Sequence, residues 1–314
     1  MMDKYINKII CGDAIRLLED FDENSIDLVL TDPPYFLDKL DDSWNIKKLE
    51  FKTSGQVVNS LPAGMKLDKA QGKRFYEWFY IISKKLYKIM KPGAFLFVFS
   101  GPRLYHRMAS AVDDAGFIIK DCFIWLYTQN QPKSMSLNHF IKKMKIPEKD
   151  KNALIKKLRG WKTPQIKSCF EPIVVAQKPY EGTLLKNFIK NNVGLFNTSI
   201  RIGINKFPSN VLLVENIEHI LDKYFLIGKP TKKEKGEFNT HLTVKPLILC
   251  QHIIELATVE DAIVLDPFAG SGTTCLAAMN LKRRFIGIEI NKEYVEIARK
   301  RLEMMKDIEL NLPF

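Results

Sequence analysis

Cysteine and histidine are both scarce in this sequence, five of each among 314 residues. Cys11, Cys122, Cys169, Cys250 and Cys275 are odd in number and include no C-x-x-C pair, which argues against a disulfide framework and for reduced thiols. The closest Cys/His approach, Cys250 with His252, is one residue short of a usual ligand spacing, so no metal centre is expected. Long apolar runs are missing too. A stretch such as residues 94–99 is only strand length, against the ~20 residues that cross a bilayer, so no membrane association is expected. Residues 1–12 lack the apolar core and small-residue cleavage site of a secretion signal and read as mature, cytoplasmic protein.

Acidic charge is the minority sign. The formal net charge is +12, and an anionic partner is expected, nucleic acid before membrane surface. The excess is local: residues 133–190 hold fourteen Lys/Arg against four acids, Glu148, Asp150, Glu171 and Glu181. Trp161, Phe170 and Tyr180 interleave with these cations, and a helix is read over 142–159. Lys232 and Lys233 belong to a second basic cluster in a loop. Arg159, Trp161, Lys162, Lys232 and Lys233 are the candidates for nucleic-acid contact.

On either side of this zone the pattern is α/β. Short apolar strands at 25–30 and 95–99 alternate with an amphipathic helix at 75–90, stopped by Lys91-Pro92-Gly93, and a helix at 103–115 precedes a strand-like run at 117–127. After residue 240 come helix 246–258, strand 262–265, helix 273–281, strand 284–288 and helix 292–304. Three zones follow: 1–132 and 241–314 complete one sheet with helices on both faces, and 133–240 is a basic insert.

Two turns carry chemistry. The strand at 262–265 runs into Asp266-Pro267-Phe268-Ala269-Gly270-Ser271-Gly272-Thr273-Thr274 and then a helix, so a ligand would sit against the helix amino end. No lysine follows Gly272, which excludes a phosphate-cradling P-loop, and Cys275 replaces the third glycine of the dinucleotide fingerprint. Glu289 ends the next strand, where a carboxylate can accept both hydroxyls of a ribose. A ribose-bearing cofactor without a pyrophosphate points to S-adenosylmethionine.

The second turn, Asp32-Pro33-Pro34-Tyr35, follows the strand at 25–30. Its prolines fix φ and carry no N–H, leaving stiff, unpaired acceptors at a strand's carboxyl end. Asp32 and the Pro33 carbonyl would accept hydrogen bonds from an exocyclic amine and aim its lone pair at an electrophile. Tyr35 would stack on an extruded base for about 1–3 kcal/mol, helping to offset the cost of extrusion.

Together the two turns resemble the amino-group DNA methyltransferases that modify adenine N6 or cytosine N4, in the β-class order of catalytic turn, basic insert, cofactor turn. The resemblance extends to Gly12-Asp13 and to His241-Leu242-Thr243-Val244-Lys245-Pro246, with Leu242 where the family has proline. It implies a Rossmann-like methyltransferase sheet with the basic insert as target recognition region. It also implies cofactor contacts from Asp13, His241, Thr243 and Lys245, double-stranded DNA as substrate, and a bacterial or phage source. A cognate restriction endonuclease and a second copy of the chain are candidate partners. Asp32 favours adenine, since N4-cytosine relatives more often carry Ser there; N4-cytosine transfer and a non-catalytic DNA-binding protein are the alternatives. Carbon-5 chemistry needs a cysteine nucleophile, typically after proline, and no cysteine here follows one.

Overall fold

The computed structural model describes residues 2–35, 69–127, 134–164, 169–200, 208–212, 238–239 and 244–310. Eight strands lie in the described chain: β1 (Lys8–Cys11), β2 (Ile26–Thr31), β3 (Met90–Phe99), β4 (Ile118–Leu126), β5 (Phe170–Gln177), β6 (Val211–Leu212), β7 (Ile263–Asp266) and β8 (Arg284–Glu289). They form one sheet in the order β1-β8-β7-β2-β3-β5-β4-β6. Five neighbours, from β1 to β3, run parallel; β5 is antiparallel to both β3 and β4, and β6 is parallel to β4.

The helices are α1 (Ala14–Leu17), α2 (Lys69–Ile89), α3 (Tyr105–Asp114), α4 (Asn138–Lys142), α5 (Glu148–Lys157), α6 (Leu184–Asn191), α7 (Leu247–Ala257), α8 (Thr273–Asn280) and α9 (Lys292–Leu310). β2 is buried along its whole length, as a central parallel strand covered on both faces must be. Side chains alternate between the two faces. Phe95, Phe97 and Phe99 pack with α7, α8 and α9, whereas Leu96 and Val98 pack with α2 and α3. α2 presents Phe75, Phe79, Ile82, Leu86 and Ile89 to that second core, the three-and-four spacing of one helical stripe.

Three local readings of the sequence are redrawn. Lys91-Pro92-Gly93 does not separate helix from strand: α2 runs directly into β3, and these residues fall where the β2–β3 register jumps from Ile26↔Met90 to Leu28↔Phe95. Lys91 donates to the buried Asp27, whose other oxygen accepts from the Ile263 amide. The helix expected over 142–159 is two helices: α4 ends at Lys142, and Pro147, in extended geometry, stands at the N-cap of α5. And the 133–240 zone is not wholly an insert: β5 lies inside it in sequence, yet runs through the sheet between β3 and β4. The part carrying α4 and α5, residues 134–164, has nine Lys/Arg and two acids, and α5 buries none of its residues.

Candidate active site

β2 and β7 are neighbours, but the chain leaves β2 for β3 on one side and leaves β7 for β8 on the other. Such a reversal opens a crevice at the carboxyl ends of the strands, where open α/β sheets bind ligands. Both singled-out turns emerge there, and one bond ties them: Thr31 Oγ1 donates to Asp266 Oδ1 at 2.7 Å. The Phe268 amide donates to the same oxygen at 3.1 Å. Burial nonetheless outweighs these bonds and pushes the Asp266 carboxyl up to about 6.

The glycine turn is a concave stretch of backbone. Gly270 (φ 51°) and Gly272 (φ 79°) are left-handed, and a Cβ on Gly272 would stand 2.9 Å from that of Ala298 in α9. The Gly270 amide donates to Glu289 Oε2 and the Asn291 amide to Oε1, both at 2.8 Å. Desolvation raises the Glu289 carboxyl above the ordinary glutamate value despite these bonds. From below, the buried Arg301 donates through one nitrogen to the Ser271 carbonyl and to the Ser271 and Thr273 hydroxyls, at 2.7, 3.1 and 3.0 Å. Pro267 is buried, and Phe268 packs against Trp78 with ring centroids 5.4 Å apart. Asp13 caps α1 by accepting from the Ile15 amide, and the Gly12 amide donates to the Glu289 carbonyl, so Asp13 stands beside the end of β8.

The missing third glycine has a structural counterpart. Gly287 in β8 leaves the room that Cys275 occupies: a Cβ on Gly287 would lie 2.8 Å from the Cys275 sulfur and 2.5 Å from Ile9 Cδ1. Close helix–strand approach is achieved, with the glycine on the strand rather than the helix.

Around Asp32 the charges are closely packed. Tyr35 Oη donates to Asp32 Oδ1 at 2.7 Å, and Lys245 Nζ pairs with Asp32 Oδ2. Glu171 Oε2 lies 3.4 Å from the same ammonium, which sits 5.0 Å from the centre of the Phe99 ring. Because β5 is antiparallel, Glu171 near its start reaches the edge where the parallel strands end. Burial works against the Lys245 charge, but the two carboxylates outweigh it and hold the ammonium above the ordinary lysine value. Burial and the adjacent Asp32 push the Tyr35 phenol well up.

A family model described as DNA methylase, for the N6/N4 group, matches residues 26–300. The chain is 32% identical to the Type II methyltransferase M.HindIII of Haemophilus influenzae, over 96% of this chain and 97% of that one. This chain belongs to the N6/N4 DNA methylases. Within the family it is also 30% identical to the Type II methyltransferase M.HpaI of Haemophilus parainfluenzae, covering 94% of this chain and 74% of the other. Two solved structures share the methylase fold. The M1.HpyAVI–SAM complex has a TM-score of 0.55 at 21% identity, covering 94% and 98% of the two chains. PvuII DNA methyltransferase (cytosine-N4-specific) has a TM-score of 0.57 at 20% identity, covering 96% and 90%.

The methylase fold thus brings Asp32, Pro33, Pro34 and Tyr35 to the mouth of the crevice beside Asp266, Pro267, Phe268, Gly270, Gly272, Thr273 and Glu289. Lys245, expected at the cofactor, lies on Asp32 and Glu171. Arg159, Trp161 and Lys162 are exposed on the α4–α5 part, Trp161 by 72%. His241, Thr243, Lys232 and Lys233 lie outside the described residues. Glu171, Phe99, Thr31 and Arg301 went unread in the sequence. For Glu171, an acid opening an otherwise apolar strand was the available signal. Among the described residues no helix is long and apolar enough to cross a membrane, and no metal-binding cluster occurs.

Proposed function

We propose that this methylase transfers a methyl group from S-adenosylmethionine to the exocyclic N6 of adenine at a specific site in double-stranded DNA. The observation that carries the reading is the Asp32 carboxylate at the end of β2, joined through Thr31 to the glycine turn after β7. The residues at that turn fit the cofactor: a left-handed glycine backbone at the start of α8, with carboxylates ending β8 and β7 and a third just beyond β1. Glu289 would hold the ribose, Asp13 the adenine, and the turn from Asp266 to Thr273 the remainder. Bound there, S-adenosylmethionine supplies a methyl group activated by its sulfonium.

The chain's own part is to position and polarise. The target amine replaces the Tyr35 hydroxyl on Asp32 Oδ1 and donates its second hydrogen to the Pro33 carbonyl, which localises the nitrogen lone pair. The Tyr35 ring then stacks on the extruded base. Arg159, Trp161 and Lys162, with the Lys232-Lys233 cluster, contact the DNA around it. Asp32 favours adenine over cytosine. The same reading carries two candidate partners, a restriction endonuclease of equal specificity and a second copy of the chain; cleavage protection and sedimentation test these two.

The deciding experiment incubates the protein with methyl-labelled S-adenosylmethionine and unmethylated bacterial DNA, then identifies the labelled nucleoside by mass spectrometry. N6-methyladenine is expected. N4-methylcytosine would overturn the base assignment, and no labelled nucleoside with the cofactor bound would overturn the reaction.

A further inference from the structure

Lys245 is held by more negative charge than neutralisation needs. One carboxylate, Asp32, would suffice to neutralise the ammonium, yet Glu171 stands 3.4 Å away as well, and the lysine side chain is only 9% exposed. Two carboxylates on one cation in a poorly solvated site cost free energy unless something else uses the surplus charge. The Glu171 oxygen facing the lysine is buried, with the ammonium at 3.4 Å. Its backbone is fixed, because Pro172 accepts from the Ser100 amide just beyond β3 and Glu171 is in register with Trp125 of β4. The side chain is therefore held at the site by a rigid strand.

Resting on the reading of Asp32 above, we propose that Glu171 is a positioning residue for the methyl transfer, acting through Lys245 on Asp32. The ammonium orients Asp32 but also neutralises it. Glu171 restores one net negative charge to the group, and alkylation puts positive charge on the target nitrogen beside that group until a proton leaves. Fixed negative charge in a site shielded from water stabilises that development without reorganisation.

The test is a double-substitution cycle on Glu171→Gln and Lys245→Met, with Asp32→Ala as reference, followed by steady-state methylation with methyl-labelled S-adenosylmethionine, with single turnovers to isolate the chemical step. Glu171→Gln keeps size and removes charge. It is expected to lower kcat about 10- to 100-fold, with KM for the cofactor within about twofold of the parent and the melting temperature unchanged. In the Lys245→Met background, where Asp32 is no longer neutralised, the same substitution is expected to cost less than about threefold. Four results would overturn the proposal: a Glu171→Gln rate within about twofold of the parent, equal losses in both backgrounds, a rise in cofactor KM at constant kcat, or a rate loss that tracks a lowered melting temperature. If Asp32→Ala retains full turnover, the reading of Asp32 itself fails, whatever Glu171 does.

Discussion

Asp266 is a buried carboxylate that accepts from the Thr31 hydroxyl at the end of β2 and from the Phe268 amide, and its burial gives it a pH signature. Its folded value, about 6, lies above the ordinary 3.8. Between those values the folded chain holds a proton that the unfolded chain has released, so this group's contribution to stability falls as pH rises from about 4 to 6 and stays low above that. Asp266→Asn keeps an oxygen for Thr31 and Phe268 and removes the charge. The variant is expected to gain on the parent from near zero below pH 4 to on the order of 3 kcal/mol above pH 6. Urea unfolding from pH 4 to 8 measures the gap, and a gap independent of pH would remove the desolvated charge as its cause. Tyr35 separates ring from hydroxyl. Tyr35→Phe keeps the ring, frees Asp32 Oδ1 and should leave kcat/KM for DNA within about threefold, whereas Tyr35→Ala loses a stacking platform worth about 1–3 kcal/mol. Steady-state methylation compares the two, and equal losses would assign the role to the hydroxyl.

At the scale of elements, the glycine turn depends on fit as much as on composition. Gly272→Ala would place a Cβ in a left-handed residue, costing about 1–2 kcal/mol. It would also press that Cβ against Ala298 at 2.9 Å, a contact α9 must move to relieve. Overpacking adds about 1–3 kcal/mol, so a destabilisation of at least 2 kcal/mol and weaker cofactor binding are expected, read by thermal melting and by titration calorimetry. An unchanged melting temperature would show that α9 yields freely. What is legible in the sequence follows the same division. Asp32-Pro33-Pro34-Tyr35 and the turn from Asp266 to Thr274 are contiguous, so their chemistry, strand and helix are visible together. Glu171 and Arg301 reach the site from a strand and a helix distant in sequence, and their roles exist only after the sheet has formed. β5 escaped the zoning because its antiparallel insertion between β3 and β4 is a topological fact, and the basic charge around it pointed to an excursion. Gly287 is the same case: its meaning depends on Cys275 lying over it.

For the whole molecule the question is where the surplus positive charge acts. Residues 134–164 carry nine of the 48 Lys/Arg on a part whose α5 buries nothing, while the crevice holds Asp32, Glu171, Asp266 and Glu289. The two signs have separate tasks: carboxylates arranged around an amine and a cationic cofactor, and lysines arranged against phosphates. Each phosphate neutralised on duplex DNA releases counterions and contributes about 0.9 to the slope of log affinity against log salt. Replacing Arg159 and Lys162 together by Gln is therefore expected to flatten that slope by up to about 1.8 and to raise KM for DNA most at low salt. Trp161, between them and carrying no charge, should when replaced by Ala weaken binding without changing the slope, because stacking releases no ions. Fluorescence anisotropy on one duplex from 50 to 200 mM salt, a range over which such contacts lose orders of magnitude in affinity, distinguishes the two effects. An unchanged slope in the Arg159/Lys162 variant would move the phosphate contacts to other lysines and leave α4 and α5 as a solvated basic surface.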